Sequence, residues 1–200
     1  MARAASIRMN SMMMSRIRMR PGLTGWCLGC NVLPGCKLRP LGGCMHQVHT
    51  RLFIGTELDC RIGDGSWAVV HACKSPCHQR AVGYRGSLPS THPNYLAFEK
   101  GSDLYLNMID PPQPLFMSGL FVTFLRFGAQ NWDAGRSLLI HCNLGESRAP
   151  SLAMLFLAKH LHAITNSGFD AARSQFSSIF PPYAPGLGIQ SYLRQHWDEL

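Results

Sequence analysis

Residues 138–155 read LLIHCNLGESRAPSLAML, and no other stretch restricts the fold as tightly. The run 137–142 is short and apolar, with Gly135 before it and Gly145 after it, which is the signature of a buried strand. A helical pattern starts at Ala149 and runs to Ile164. Pro150 falls in its first turn, where the missing N–H breaks no hydrogen bond. A strand and a helix joined by so short a loop must bring the loop amides and the helix N-terminus to one point. That arrangement is a ready-made anion site.

The remaining body repeats the same grammar. Residues 51–55 (RLFIG), 67–72 (WAVVHA) and 103–109 (DLYLNMI) read as strands. Residues 114–132 carry an apolar stripe of Met117, Leu120, Phe121, Phe124 and Leu125 at helical spacing. Residues 167–180 form a further helical pattern, with Ser167 as its cap and Pro181–Pro182 as its stop. A short last helix is expected over 188–197. The Pro-, Gly- and Ser-rich stretch 73–101 reads as an ordered loop, with a short helix at most. Strands alternating with helices predict an α/β fold, a central mostly parallel sheet of about four to five strands flanked by helices.

Charge divides the chain in two. Of 19 basic and 11 acidic residues, the first 45 positions hold Arg3, Arg8, Arg16, Arg18, Arg20, Lys37 and Arg39 and no acid. The formal charge of +8 therefore belongs to an irregular extension, residues 1–45, expected to be disordered. The catalytic-type body, residues 46–200, is close to neutral and gives no basis for nucleic-acid binding. The extension reads as an upstream-extended start, with Met45 opening the domain, or as a transit peptide. Its Cys27 and Cys30 have the two-residue gap of a zinc site, but Cys36 and Cys44 are spaced by seven residues and no histidine lies nearby until His46, so a structural zinc is not expected there. No apolar run approaches the roughly 18 residues of a membrane span.

The loop's residue types specify a chemistry. A cysteine attacks only as thiolate, and amides at a helix N-terminus favour the anion. Cys142 stands where the strand ends. Asn143, Leu144, Gly145, Glu146, Ser147 and Arg148 supply six amide donors, with Gly145 permitting tight curvature. Arg148 adds a planar fork for two phosphate oxygens. Phosphoryl transfer then needs only a proton donor for the leaving oxygen. Asp110, at the end of a strand and stiffened by Pro111 and Pro112, is the candidate; Asp103 is the weaker rival. His141 alternates away from the pocket and acts from behind the loop. Lys74, His78, Arg80 and Arg85 are candidates for the pocket rim. Cys73, Cys77 and His78 lack a fourth ligand, so no metal and no cofactor are expected.

With these residues in place, the chain resembles the cysteine-dependent dual-specificity protein phosphatases. His141, Cys142, Gly145, Ser147 and Arg148 match that family's loop signature, and LNMIDPP around Asp110 resembles its general-acid loop. The resemblance spans roughly residues 48–180. It implies hydrolysis of phosphomonoesters through a phosphocysteine without metal, in a cytoplasmic, reducing setting. The substrates would be phosphorylated proteins, on tyrosine or on serine and threonine, or other phosphomonoesters. Oligomeric state is left open. Two departures stand out. Ala149 replaces the usual hydroxyl residue that helps the thiolate leave, and Glu146 puts a carboxylate on the loop, expected to face solvent. They raise the alternative of a catalytically weak, phosphate-binding pseudophosphatase. A sulfurtransferase also cradles a cysteine, but it has no use for Arg148 and Asp110 in these positions.

Overall fold

The computed structural model describes residues 36–38 and 44–200. The expectation of a disordered extension falls almost wholly outside those residues. Seven strands form one sheet: β1 (Cys36–Leu38), β2 (Cys44–His49), β3 (Leu52–Gly55), β4 (Trp67–His71), β5 (Ala97–Lys100), β6 (Asp103–Leu106) and β7 (Ser137–His141). Their spatial order is β1-β2-β3-β7-β4-β6-β5. The central four, β3, β7, β4 and β6, are mutually parallel. The antiparallel edges β1–β2 and β5 widen the sheet beyond the four to five strands expected. Those edges escaped a reading by apolar runs because β2 (CMHQVH) is half polar and β5 (AFEK) is only partly buried.

The helices are α1 (Gln79–Val82), α2 (Ser118–Asp133), α3 (Arg148–Lys159), α4 (Phe169–Ile179) and α5 (Leu187–His196). Side chains alternate across each strand. Leu138 and Ile140 of β7, with Ala68 and Val70 of β4, face one core shared with α2–α5. Leu139 and Val69 face the opposite side, with Met45, Phe53 and Trp67. The helix-side core is aromatic-rich, and Phe121, Phe124, Phe127, Phe156 and Phe176 are fully buried. Each contributes roughly 1.5–3 kcal/mol of transfer free energy. Residues Ala149 through Ala158 of α3 are all buried, so this helix is the central rod of the core rather than an amphipathic surface element. The stripe expected in α2 is shifted inward: Leu120, Phe121, Phe124 and Phe127 are buried, while Met117 lies outside the helix and is exposed. Among the described residues no helix is long and apolar enough to cross a membrane.

Parallel pairing fixes the position of the site. The C-terminal ends of β3, β7, β4 and β6 share one edge, so the four segments that follow them converge there, as in open parallel sheets generally. One of the four is the loop 142–147.

Candidate active site

Cys142 is the first residue after β7, 2 % exposed, at the border of the helix-side core. The Gly145 amide donates to its Sγ at 3.3 Å. Gly145 has φ +74°, and a Cβ there would sit 3.1 Å from the Gly55 carbonyl oxygen and 3.3 Å from Thr56 Cγ2. Glycine is therefore required both for the backbone conformation and for the close approach of the β3 end. The Glu57 amide donates to the Asn143 carbonyl at 3.1 Å, locking the same two segments together. Leu144 and Glu146 are exposed, so the loop's carboxylate points to solvent as expected.

Arg148 opens α3 and ties three strand ends together. Its Nη1 donates to the Ala72 carbonyl at 3.2 Å and to the Met108 carbonyl at 3.1 Å, and its Nη2 donates to Asn143 Oδ1 at 2.6 Å. Nε is buried and has no hydrogen-bond partner among the described residues. Of five N–H donors, the Nε hydrogen and one on Nη2 are left uncommitted. A buried donor without an acceptor is costly in a folded protein. Here it lies on a cation held against the amide loop, which is the place for an oxyanion.

Asp110 is exposed, four residues beyond β6. Its carboxylate packs on Gly186, where a Cβ would meet Oδ1 at 2.1 Å. The Gly186 amide donates to Ser147 Oγ at 2.9 Å, Ala184 N donates to the Glu146 carbonyl at 2.9 Å, and Gly188 N donates to the Pro111 carbonyl at 3.1 Å. The segment 184–188 thus clasps the acid-bearing loop to the cysteine loop. Sequence reading missed this clasp. Its signal was Pro185-Gly186-Leu187-Gly188, one glycine capping a helix and one in its first turn. The rival Asp103 is buried and bonded to Gly63 N at 2.8 Å and to His71 Nε2 at 3.1 Å. Ala149 is fully buried. Ser147 Oγ accepts the Gly186 amide, and Ser151 Oγ is bonded to the Tyr183 hydroxyl at 2.9 Å.

Behind the loop, His141 is fully buried and its Nε2 shares a hydrogen with His71 Nδ1 at 2.7 Å. His71 also stacks on Tyr105, 4.2 Å between centroids. Burial alone would lower the His71 pKa, but hydrogen bonds to Asp103 and Cys60 outweigh it and raise it. Cys60 Sγ lies 3.6 Å from His71 Nδ1 and 3.8 Å from Cys77 Sγ. Hydrogen bonding from Cys77, then from His141 and His71, holds the Cys60 thiol far below its ordinary range, and the proton stays on Cys77, whose pKa rises. None of Cys60, His71 or Cys77 stood out as part of this constellation in the sequence.

Of the four residues expected at the rim, His78 is the one that is buried. His78 is fully buried, its ring bonded to the Tyr84 hydroxyl at 3.0 Å and the Asn94 carbonyl at 2.9 Å. It braces the 78–94 segment and is no rim group. Arg80 and Arg85 are exposed along a groove of about 400 Å³. The Lys74 amide donates to the Met108 carbonyl, the same oxygen that receives Arg148. Cys77 touches Cys73, but the set of donor atoms it joins is that of Cys60, His71 and His141 rather than Cys73 and His78.

No protein-family model matches the sequence, and no curated protein matches it either. Solved structures do match. Human DUSP28 is 18 % identical with a TM-score of 0.53, covering 81 % of this chain and 95 % of that one. A putative dual specificity phosphatase from mouse, solved as a zinc tungstate complex, is 20 % identical with a TM-score of 0.53, covering 82 % and 91 %. The human tyrosine phosphatase-like serine/threonine/tyrosine-interacting protein is 13 % identical with a TM-score of 0.53, covering 78 % and 96 %. The chain has the fold of the dual-specificity phosphatases, with its sheet flanked by helices as the sequence predicted.

Proposed function

We propose that the protein hydrolyses phosphomonoesters of phosphoproteins, on tyrosine or on serine and threonine, through a phosphocysteine on Cys142. The observation that carries this reading is Arg148. Its guanidinium is fixed by two carbonyls and Asn143, with a buried Nε donor left over beside the amide loop. That geometry suits two equatorial phosphate oxygens bound side by side. In the first step the Cys142 thiolate attacks phosphorus, the P–O bond to the leaving group breaks, and protonated Asp110 gives that oxygen its proton. In the second, Asp110 takes a proton from water as the water attacks phosphorus; the S–P bond breaks, thiolate returns and inorganic phosphate leaves. The loop amides and Arg148 hold the equatorial charge throughout. No metal takes part in these steps. Exposed Glu146 favours a basic residue beside the phosphate, and Lys74, Arg80 and Arg85 are the residues proposed to meet an acidic flank. Cys142 must stay reduced, which suits the cytoplasm.

Hydrolysis of p-nitrophenyl phosphate tests the reading. Cys142→Ser should abolish turnover, and Asp110→Ala should lower kcat by roughly 10²–10⁴ toward an aryl phosphate with a poor leaving group, and far less toward p-nitrophenyl phosphate. An active Cys142→Ser variant would overturn the nucleophile, and an Asp110→Ala rate unchanged toward the poor leaving group would remove the acid. One observation favours a second reading, the weak phosphate-binding module: position 149 offers no hydroxyl, and the neighbouring Ser151 hydroxyl is bonded to Tyr183. Vanadate binding without wild-type turnover would select it.

A further inference from the structure

On the sheet face opposite the helices, Cys60, His71, Cys77 and His141 bring one ligand atom each to within 4.8 Å of one another. We propose that these four side chains bind a single zinc ion, a structural site directly behind the catalytic loop. The distances fit the metal. Tetrahedral zinc with Zn–S near ~2.3 Å and Zn–N near ~2.05 Å requires edges of about 3.8 Å (S–S), about 3.6 Å (S–N) and about 3.3 Å (N–N). The Cys60–Cys77 Sγ separation is 3.8 Å, Cys60 Sγ lies 3.6 Å from His71 Nδ1, and all four ligand atoms lie within 4.8 Å of one another. The two imidazole nitrogens, 2.7 Å apart, need to open by about 0.6 Å to meet that geometry as the metal replaces their shared hydrogen.

The donor set points the same way. Two thiolates and two neutral imidazoles around a divalent cation sum to zero charge, which a buried location tolerates. Tetrahedral S₂N₂ selects zinc over the harder divalent ions. Asp103 supplies the outer carboxylate that orients a metal-bound histidine, at 3.1 Å from His71 Nε2, and is itself held by Gly63 N. The scaffold is rigid where it matters, because His71 and His141 are register partners on adjacent parallel strands. Cys60 comes from the segment after β3, and Cys77 from the irregular helical turn Lys74–His78. Cys60 is exposed and lines, with Cys77 and His71, a cavity of about 460 Å³ through which a cation enters.

The site would hold the loop from behind. His141 immediately precedes Cys142. Ala72, next to His71, donates its amide to the His141 carbonyl at 2.8 Å and accepts Arg148 through its own carbonyl. One cation therefore clamps the strand ends that carry the cysteine and that orient the arginine. The proposal stands on these ligands alone and is independent of the phosphatase reading.

The full chain, reduced and stripped of metal, is titrated with Co²⁺ and read by visible absorption, with zinc per chain measured in parallel on protein as purified. The expected result is one equivalent of tetrahedral cobalt with the charge-transfer band of two thiolates, displaced by zinc. It should be retained when Cys27, Cys30, Cys36 and Cys44 are all serine, and lost in Cys60→Ser and Cys77→Ser. Chelation should lower the melting temperature of the wild type and leave Cys60→Ser unchanged. Absence of uptake by the reduced wild type, uptake that survives both substitutions, or uptake lost with the four N-terminal cysteines would each overturn the proposal. The wild-type spectrum decides the outcome even if a variant fails to fold.

Discussion

Replacing Ala149 by serine separates an efficient hydrolase from a phosphate trap. The Ala149 side chain is fully buried at the start of α3, one residue beyond Arg148. The donor to Cys142 Sγ is the Gly145 amide, at 3.3 Å. A hydroxyl at position 149 has two possible fates. If it reaches the departing thiolate, a hydrogen bond to a charged sulfur contributes roughly 1.5 kcal/mol at the low end of its range, about tenfold in the second step at about 1.4 kcal/mol per decade. If it finds no acceptor in that apolar setting, it costs about 1–3 kcal/mol of stability. The assay is stopped-flow hydrolysis of p-nitrophenyl phosphate, paired with urea denaturation. Wild type should show a burst of nitrophenol followed by slow turnover. Ala149→Ser should raise the steady-state rate about tenfold, shrink the burst, and avoid the loss of about 1–3 kcal/mol that an unpaired buried hydroxyl brings. A burst-free wild type whose rate is unmoved by Ala149→Ser would refute the argument that this position limits dephosphorylation. So would a variant that is destabilised without any gain in rate.

Three further outcomes follow from the geometry. Gly145→Ala forces an L-residue into φ +74° against the Gly55 carbonyl; stability should fall by about 1–2 kcal/mol, and inorganic phosphate binding, followed by calorimetry, should weaken with it. Gly186→Ala puts a methyl group at 2.1 Å from Asp110 Oδ1 and so displaces the carboxylate; kcat should drop toward the Asp110→Ala value for poor leaving groups and far less for p-nitrophenol, while Cys142 stays reactive to iodoacetamide. His46 is buried with its ring edge-on to Phe180, and desolvation lowers its pKa below 6.5, so the folded state holds it neutral. The unfolded chain binds the proton first, so stability is full above pH 6.5 and is lost as pH falls below it, by up to about 1.4 kcal/mol per pH unit. His46→Phe should flatten that acid limb in pH-resolved denaturation, leaving the part due to His78, whose pKa burial also lowers; an unchanged slope would show that His46 does not contribute.

What the sequence made legible, and what it hid, divides by the range of the interaction. The strand, loop and helix around Cys142 are contiguous, and their geometry follows from local sterics: an apolar run, a glycine at φ +74°, a proline in the first turn of α3. The Cys142–Arg148 relation could therefore be read directly. Asp110 was read as the end of an apolar strand stiffened by prolines, but the strand stops four residues earlier, at Leu106. Its clasp was not, because the clasp depends on Gly186 meeting a loop 76 residues earlier in the chain. His78 misled because a histidine in a polar, proline-rich stretch looks exposed. Only folding of the 78–94 segment shows that its two ring nitrogens bind Tyr84 and Asn94.

The cysteine–histidine cluster is the extreme case. Zinc ligands are recognised in sequence when pairs sit two to five residues apart on one turn, and here positions 60, 71, 77 and 141 show no such pairing. What joins them is register. β4 and β7 are sequence-distant strands that pair in parallel with His71 directly beside His141, and Cys60 and Cys77 arrive from the segments that leave the neighbouring strand ends. A one-residue slip of β4 against β7 would send one imidazole to the helix-side core and dissolve the cluster. The alternation that points Cys142 toward the helices is the same alternation that points His141 to the opposite face. The end of β7 thus presents a candidate metal ligand on one side and the residue that follows it presents the candidate nucleophile on the other, so the adjacency of His141 and Cys142 couples the two sites.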